Sequence, residues 1–254
     1  MSDRNFDGIA QRFHRNIYHS PKGELRLATC RRELQKQLPD RLLRPGIRVW
    51  DAGGGIGQMS ADCLARGQTV VLNDLSQDML DLAAAELSAY TGSGQLSLLQ
   101  SSIQALPVDL PFDLVICHAV LEWVESMESV LDALVKGLAA EGYLSLMFYN
   151  LNALIAGNMI KGNLYKLRDE DFAGHPGGLT PPQPRDPNLV IQALQERGLQ
   201  VVARRGVRLS YDMMSRSLRA ERSVEDMLAT DWQYGAREPF WALGRYVHLL
   251  CRRG

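Results

Sequence analysis

The residues with the clearest chemistry form a run of glycines behind an acid: Asp51, Gly53, Gly54, Gly55 and Gly57. Without a Cβ, the main chain of such a turn can approach a ligand closely and take positive φ. Ile47–Asp51 reads as a strand before the turn, and a helix opens after it. The unpaired N–H groups of a helix start make that arrangement a cradle for the polar part of a nucleotide. Three successive glycines cost entropy, and a turn that holds nothing needs fewer. Asp74 follows ~20 residues on, after a second apolar strand, Thr69–Asn73, where a carboxylate can accept both hydroxyls of a ribose.

The spacing of the glycines selects among nucleotides. A dinucleotide-binding G-x-G-x-x-G begun at Gly53 would need a third glycine at position 58, which is Gln58. No Lys-Ser/Thr pair follows, so a Walker A loop is excluded. The pattern Asp51-x-Gly53-x-Gly55-x-Gly57 instead resembles motif I of the class I S-adenosylmethionine (SAM) methyltransferases. In that class, the loop after the third strand flanks the adenine. Here it reads Ser101-Ser102-Ile103-Gln104, with Gln104 able to hydrogen-bond the base in place of the acid often found there. His118 ends the apolar strand Phe112–Cys117. Ligands of an open parallel sheet gather at that edge, so His118 either borders the methyl donor or is a satisfied core or capping histidine. Trp123 reads as packing on the helix that follows.

These groups need a frame, and the hydrophobic pattern supplies one. Ser76 caps a helix running to about Ala89, Leu96–Leu99 is a short strand, Ser126–Leu138 is amphipathic and Gly142–Phe148 is a strand. Strands alternating with helices predict an α/β, Rossmann-like fold: a mostly parallel seven-stranded sheet with helices on both faces. An N-terminal helical extension is expected over residues 3–40, started by an Asp3 cap, with a second helix at Lys22–Gln37. Residues 163–187 read as a long surface loop or lid, rich in Gly and Pro. Asp186-Pro187 starts a helix to about Arg197, and Gln200–Ala203 and Phe240–Leu250 read as strands. The chain is read as one domain, 1–254, with N-terminal helices (1–44), a SAM-binding core (45–150) and substrate-side additions (151–254).

Composition narrows the setting. The net charge of −1 over 254 residues gives no global attraction to nucleic acid, so any such site must be a local basic patch. Cys30, Cys63, Cys117 and Cys251 make no CxxC pair, which argues against a zinc site or a disulfide framework. No signal peptide and no 18-residue apolar run is apparent, so a cytoplasmic protein with no membrane segment is expected.

A wider set of motifs extends the resemblance along nearly the whole chain. Arg15-Asn16-Ile17-Tyr18, Lys22-Gly23 with Leu25-Arg26, residues 51–58 (DAGGGIGQ), 118–124 (HAVLEWV) and 145–150 (SLMFYN) occur in order. Pro184-Arg185-Asp186-Pro187, Gly206-Val207-Arg208, and Leu243-Gly244-Arg245-Tyr246 with His248 follow. Together they resemble the bacterial tRNA 5-carboxymethoxyuridine methyltransferases, and the sequence differs mainly at 163–183. The resemblance implies methylation of the carboxylate of 5-carboxymethoxyuridine at the wobble position of certain tRNAs. It implies SAM contacts at Arg26, Gly53, Gly54, Asp74, Ile103, Gln104 and His118, with Arg26 suited to the SAM carboxylate through its fork of donors. Motif I adds Asp51 and Gly55.

The implied chemistry is undemanding. The methyl group of SAM is already activated, and a carboxylic acid is already anionic at pH 7. Transfer therefore needs positioning and electrostatics, with no general base, and none is assigned. Acceptor carboxylate and tRNA phosphates need cations: Lys161, Arg185, Arg204, Arg205, Arg208 and Arg245 are the candidates outside the nucleotide fold. Tyr149 and Tyr246 could stack on an extruded base. A subset of these is expected to form one patch beside the SAM pocket. No metal is expected. A methyltransferase acting on a small-molecule acid would use the same fold and donor site and remains the alternative.

Overall fold

A computed structural model describes residues 3–13, 20–106, 111–172 and 180–254. Apolar residues in its strands alternate between two faces, and this alternation sets the layers. The strands are β1 (Arg48–Ala52), β2 (Thr69–Asp74), β3 (Leu96–Gln100), β4 (Phe112–His118), β5 (Leu138–Tyr149), β6 (Leu199–Val207) and β7 (Tyr246–Arg253). They form one sheet in the order β3-β2-β1-β4-β5-β7-β6. The first five pair in parallel, and β7 runs antiparallel to both β5 and β6.

The helices are α1 (Ala10–Phe13), α2 (Pro21–Gln37), α3 (Gln58–Ala65), α4 (Gln77–Glu86), α5 (Met127–Gly137), α6 (Leu151–Ile160), α7 (Leu164–Arg168), α8 (Pro187–Glu196), α9 (Leu209–Met213), α10 (Arg216–Ala220) and α11 (Val224–Tyr234). Val49, Leu114, Ile116, Met147 and Leu250 face α2, α3 and α4, meeting Cys30, Leu34, Leu64 and Leu80. Trp50, Val115, Cys117, Leu146 and Leu249 face α5 and α8, meeting Leu131, Leu134, Val190 and Leu194. Each such fully buried leucine contributes about 2 kcal/mol of transfer free energy. Trp50, wholly buried, donates its indole N–H to Asn73 Oδ1 at 2.7 Å, so no polar atom of that ring is orphaned.

Local signals explain the helix starts. Ser20 caps α2 with Pro21 in its first turn, Ser76 caps α4, and Asp186 caps α8 ahead of Pro187.

Three expectations need correction. Residues 3–9 are not helical and Asp3 caps no helix. Its Oδ1 accepts from Glu125 N at 2.8 Å, while Asp7 Oδ1 accepts from Ser76 Oγ at 2.6 Å. These long-range contacts stand in place of the intrahelical bonds a helix would need, and the segment becomes an arm laid across the carboxyl edge of the sheet. The strand expected over Phe240–Leu250 begins only at Tyr246, after a 3-10 turn at Phe240–Leu243. There Gly244 passes so close to β6 that a Cβ would lie 2.5 Å from Val207 N. Residues 163–187 include the short helix α7, while positions 173–179 of that loop, like 15–18 of the N-terminal motif, lie outside the described residues.

Candidate active site

The glycine turn after β1 takes positive φ at Gly53 (66°), Gly55 (57°) and Gly57 (79°), each costly for a residue with a side chain. A Cβ on Gly53 would lie 2.7 Å from Val120 Cγ2, so the backbone forms the floor of the cleft there. Asp51, at the end of β1, is buried and accepts from Ser60 Oγ at 2.7 Å. Burial pushes its carboxyl up to about 6, against the opposing pull of that hydrogen bond. It supports the turn from beneath.

Asp74 ties the turn to β2. Its Oδ2 accepts from Gly55 N at 3.0 Å and its Oδ1 from Ser76 N at 2.9 Å. Burial raises its pKa. Each oxygen keeps a further lone pair for a ribose hydroxyl. The cleft above the turn is bounded by Asp74, Ser101, Ser102, Ile103, Gln104, Val120 and Trp123. A second lobe continues under α2, bounded by Leu27, Cys30, Asp51, Gly54, Gln58 and Met147. Arg26, Gly53 and His118 border both lobes.

The N-terminal arm roofs the first lobe with Arg4 and Phe6. The Arg4 guanidinium lies 4.9 Å from the Trp123 ring, and Phe6 meets that ring edge-on at 5.1 Å. Trp123 thus faces the arm and the cleft, contrary to the expected packing on the next helix. Gln104 Nε2 reaches Asp3 Oδ2 at 3.3 Å.

His118 is half-buried, and its Nε2 lies 2.7 Å from Ser145 Oγ. Desolvation, then His248 and Arg26, hold its pKa well below the usual histidine value. Among the described residues no carboxylate is bonded to it, so it is not built as a base. Burial pushes the thiols of Cys30, Cys63 and Cys251 up to about 12, far from nucleophilic. Among the described residues, no group of three His, Cys, Asp or Glu is placed to hold a metal.

A second cluster stands farther along the same sheet edge. His118 pairs in register with Met147 of β5, and Tyr149 lies two residues beyond, paired with Tyr246 of β7. The two tyrosine rings are 5.7 Å apart at 61°. The Arg245 guanidinium covers Tyr149 at 4.6 Å, and Arg208 approaches Tyr246 at 5.7 Å and Tyr211 at 5.5 Å. Arg208 is buried at φ 59° and pairs with Asp212 at 2.8 Å. Lys22, at the start of α2, joins them: its pKa is lowered by burial and by Arg208, with Arg219 and Arg245 adding to the effect and Asp212 opposing it. The Tyr149 hydroxyl is buried with no hydrogen-bond partner among the described residues, and burial pushes it up to about 12.

Other cations suggested by the sequence are engaged elsewhere. Arg185 donates to the carbonyls of Leu121 and Val124 and holds that turn in place. Arg204 pairs with Glu238 at 2.6 Å and covers Trp241 at 4.5 Å. Arg205 is buried against Glu33 and stacks on Trp232 at 3.9 Å, pinning β6 to α2. Successive residues of β6 point to opposite faces, and this separates two arginines that neighbour each other in sequence. Lys161 is exposed at the end of α6. Residue spacing gave no role to Lys22, to the Arg4–Phe6 arm or to Glu122. Glu122 is buried, accepts from Tyr149 N at 3.3 Å and is pushed up by burial to about 7.

Comparison with known proteins bears on this geometry. A methyltransferase domain family matches residues 50–144. Over 259 aligned residues the chain is 39% identical to the tRNA 5-carboxymethoxyuridine methyltransferase of Escherichia coli K12, covering all of this chain and 97% of that one. The protein of that name from Escherichia coli O157:H7 matches equally. The chain belongs to this family. It is a SAM-dependent methyltransferase. Magnesium protoporphyrin IX methyltransferase from Synechocystis PCC 6803, solved with bound S-adenosylhomocysteine, shares the fold at a TM-score of 0.65 and 18% identity, covering 98% of this chain and 96% of its own. The cleft residues fit SAM. A floor with no room for a Cβ, a carboxylate with free lone pairs and an arginine at the inner lobe suit a nucleoside with an anionic tail.

Proposed function

We propose that this family member methylates the carboxylate of 5-carboxymethoxyuridine at the wobble position of tRNA, in the cytoplasm, giving the methyl ester. One observation carries the reading: the cluster of Lys22, Arg208 and Arg245 with Tyr149 and Tyr246 lies on the same sheet edge as His118. Its cations suit a carboxylate and a phosphate, and its rings suit an extruded base. In this reading residues 45–150 hold the donor, and 151–254 together with Lys22 hold the acceptor.

When bound, SAM supplies a methyl group on a positively charged sulfur. Asp74 would accept from the ribose hydroxyls, Ile103 and Gln104 would border the base, and Arg26 would receive the carboxylate of the amino-acid tail. Lys22, Arg208 and Arg245 orient the acceptor carboxylate, which is ionised at pH 7 and needs no base. Bound SAM would supply its methyl group to one oxygen of that carboxylate, its sulfur keeping the electron pair of the S–CH3 bond. Negative acceptor and positive sulfur cancel in that step, which a poorly hydrated site favours. The main contribution of the protein is alignment.

The test is to incubate the protein with labelled SAM and tRNA from cells lacking the activity, then to analyse the nucleosides. Label in the methyl ester of carboxymethoxyuridine is expected. Label confined to small-molecule acids would overturn the reading.

A further inference from the structure

The Ser145 hydroxyl stands between two imidazoles. Its Oγ lies 2.7 Å from His118 Nε2 and 2.8 Å from His248 Nε2. The three residues come from β4, β5 and β7 and fall, by strand alternation, on the face covered by α2. Ser145 and His248 are wholly buried, and His118 is the member that reaches the cleft.

A hydroxyl has one proton and two lone pairs, and Ser145 Oγ has no further partner among the described residues, so its buried O–H is bonded only if it donates to one ring and accepts from the other. Burial keeps both rings neutral: the His248 pKa falls to about 3, and that of His118 is also well below its usual value. The two histidines therefore carry opposite tautomers, and His248 decides which. Its Nδ1 is buried without a partner, and Arg205 is close enough to act on the ring. An orphaned buried N–H is rarer than an orphaned lone pair, and a lone pair is preferred next to a cation. His248 thus carries its proton on Nε2 and donates it to Ser145. Ser145 donates to His118 Nε2. His118 is left with its proton on Nδ1, which has no hydrogen-bond partner among the described residues and is the ring nitrogen free to serve the cleft.

We propose that Ser145 and His248 are positioning residues that fix His118 as a neutral Nδ1–H donor, and that this donor meets the same donor-substrate carboxylate that Arg26 receives. The proposal rests on the cofactor reading above. Arg26 and His118 border both lobes together. A neutral donor adds a hydrogen bond to the anion without repelling the guanidinium next to it.

Two measurements test this. The first is the imidazole 15N–1H spectrum of the protein at pH 7, expected to show His118 protonated on Nδ1 and His248 on Nε2. The second is calorimetric binding of S-adenosylhomocysteine and of 5′-methylthioadenosine, which lacks the amino-acid tail. Ser145→Ala should weaken the first ligand about tenfold, the scale of one hydrogen bond to a charged group, and leave the second within about twofold. His248→Gln, with Ser145 in place, puts an amide N–H where Nε2 stood, so it should bind S-adenosylhomocysteine within about threefold of wild type. A His118 that is charged or protonated on Nε2 overturns the proposal. So does an equal loss for both ligands in Ser145→Ala, which marks a merely structural defect. If wild-type protein bound neither ligand, the cofactor reading would fall first and take the proposal with it.

Discussion

On the reading proposed above, the donor end of the site and its acceptor end are built on different plans. The donor end, between β1 and β4, is made of backbone, two carboxylates and one arginine: the Gly53–Gly57 turn, Asp51, Asp74 and Arg26. Most of its parts come from strand ends and the turns that directly follow them. The acceptor end is made of cations stacked on rings, and its members come from α2, β5, β7 and the start of α9. The first plan recognises a constant ligand through main-chain shape, which changes little when side chains vary. The second recognises charge and a flat base through long side chains, which can be exchanged one at a time. Donor and acceptor binding should therefore be separable by mutation.

The strongest way to break that separation is at the turn. Gly53→Val adds a branched side chain where a Cβ already lies 2.7 Å from Val120 Cγ2, at φ 66°. We expect S-adenosylhomocysteine binding to fall ~1,000-fold, about 4 kcal/mol, measured by calorimetry. Retention of tRNA in a gel-shift assay should stay within about threefold. Loss of both in a folded variant would mean that the two ends are one site.

The converse comes next. Arg245→Ala removes the guanidinium that covers Tyr149 at 4.6 Å. A charge-assisted contact is worth about 2–3 kcal/mol, so kcat/KM for tRNA should drop roughly 30–100-fold while S-adenosylhomocysteine affinity holds. Arg208→Ala should behave alike, with some added loss of stability from the orphaned Asp212. An unchanged kcat/KM in Arg245→Ala removes that residue from the acceptor end.

The two plans also differ in how far they can be read from sequence. The donor end is local. A glycine spacing, an acid after the next strand and a serine cap at Ser76 each act within a few residues, and pattern alone places them. The acceptor end depends on register and pleat. Arg204, Arg205 and Arg208 look like one basic cluster in sequence. In the fold, alternate sides of β6 send Arg204 to Trp241 and Arg205 to Glu33, and only Arg208, just past the strand in a left-handed conformation, joins Tyr246. Periodicity at 3–9 suggests a helix, but Asp3 and Asp7 accept from loops far along the chain. Ser145 and His248 fall inside motifs of the family resemblance, but spacing gives them no role, since their partners become neighbours only through sheet order.

Glu122 joins the two ends, since Arg26 acts on it and Tyr149 N donates to it. Burial holds its pKa at about 7, above the 4.5 of an ordinary glutamate. Folding therefore favours the protonated form. The stability it confers is complete at low pH and is lost as pH rises through about 7. Glu122→Gln keeps an acceptor for Tyr149 N and removes that loss. Its melting temperature relative to wild type should climb between pH 5 and 7, by about 2 kcal/mol or several degrees. Asp51 titrates in both proteins and cancels. Parallel curves for the two proteins would place the Glu122 proton elsewhere.

The smallest effect sharpens the boundary of the acceptor end. Arg204 and Glu238 form an exposed pair, with side chains 45% and 64% accessible. Such pairs contribute about 0–1 kcal/mol, and the stack on Trp241 adds a similar amount. Arg204→Ala should lower the melting temperature by only a few degrees and leave kcat/KM for tRNA within about twofold. The contrast with Arg245→Ala is the informative quantity, because both variants remove one positive charge from the carboxyl-terminal strands. If tRNA binding responded only to net charge, the two would weaken it equally, and more so at low salt. If the Arg245–Tyr149 cluster recognises the acceptor by geometry, Arg245→Ala loses far more and the gap persists as salt is raised. A tenfold loss in Arg204→Ala would extend the acceptor surface across β6 to the Trp241 side of the sheet.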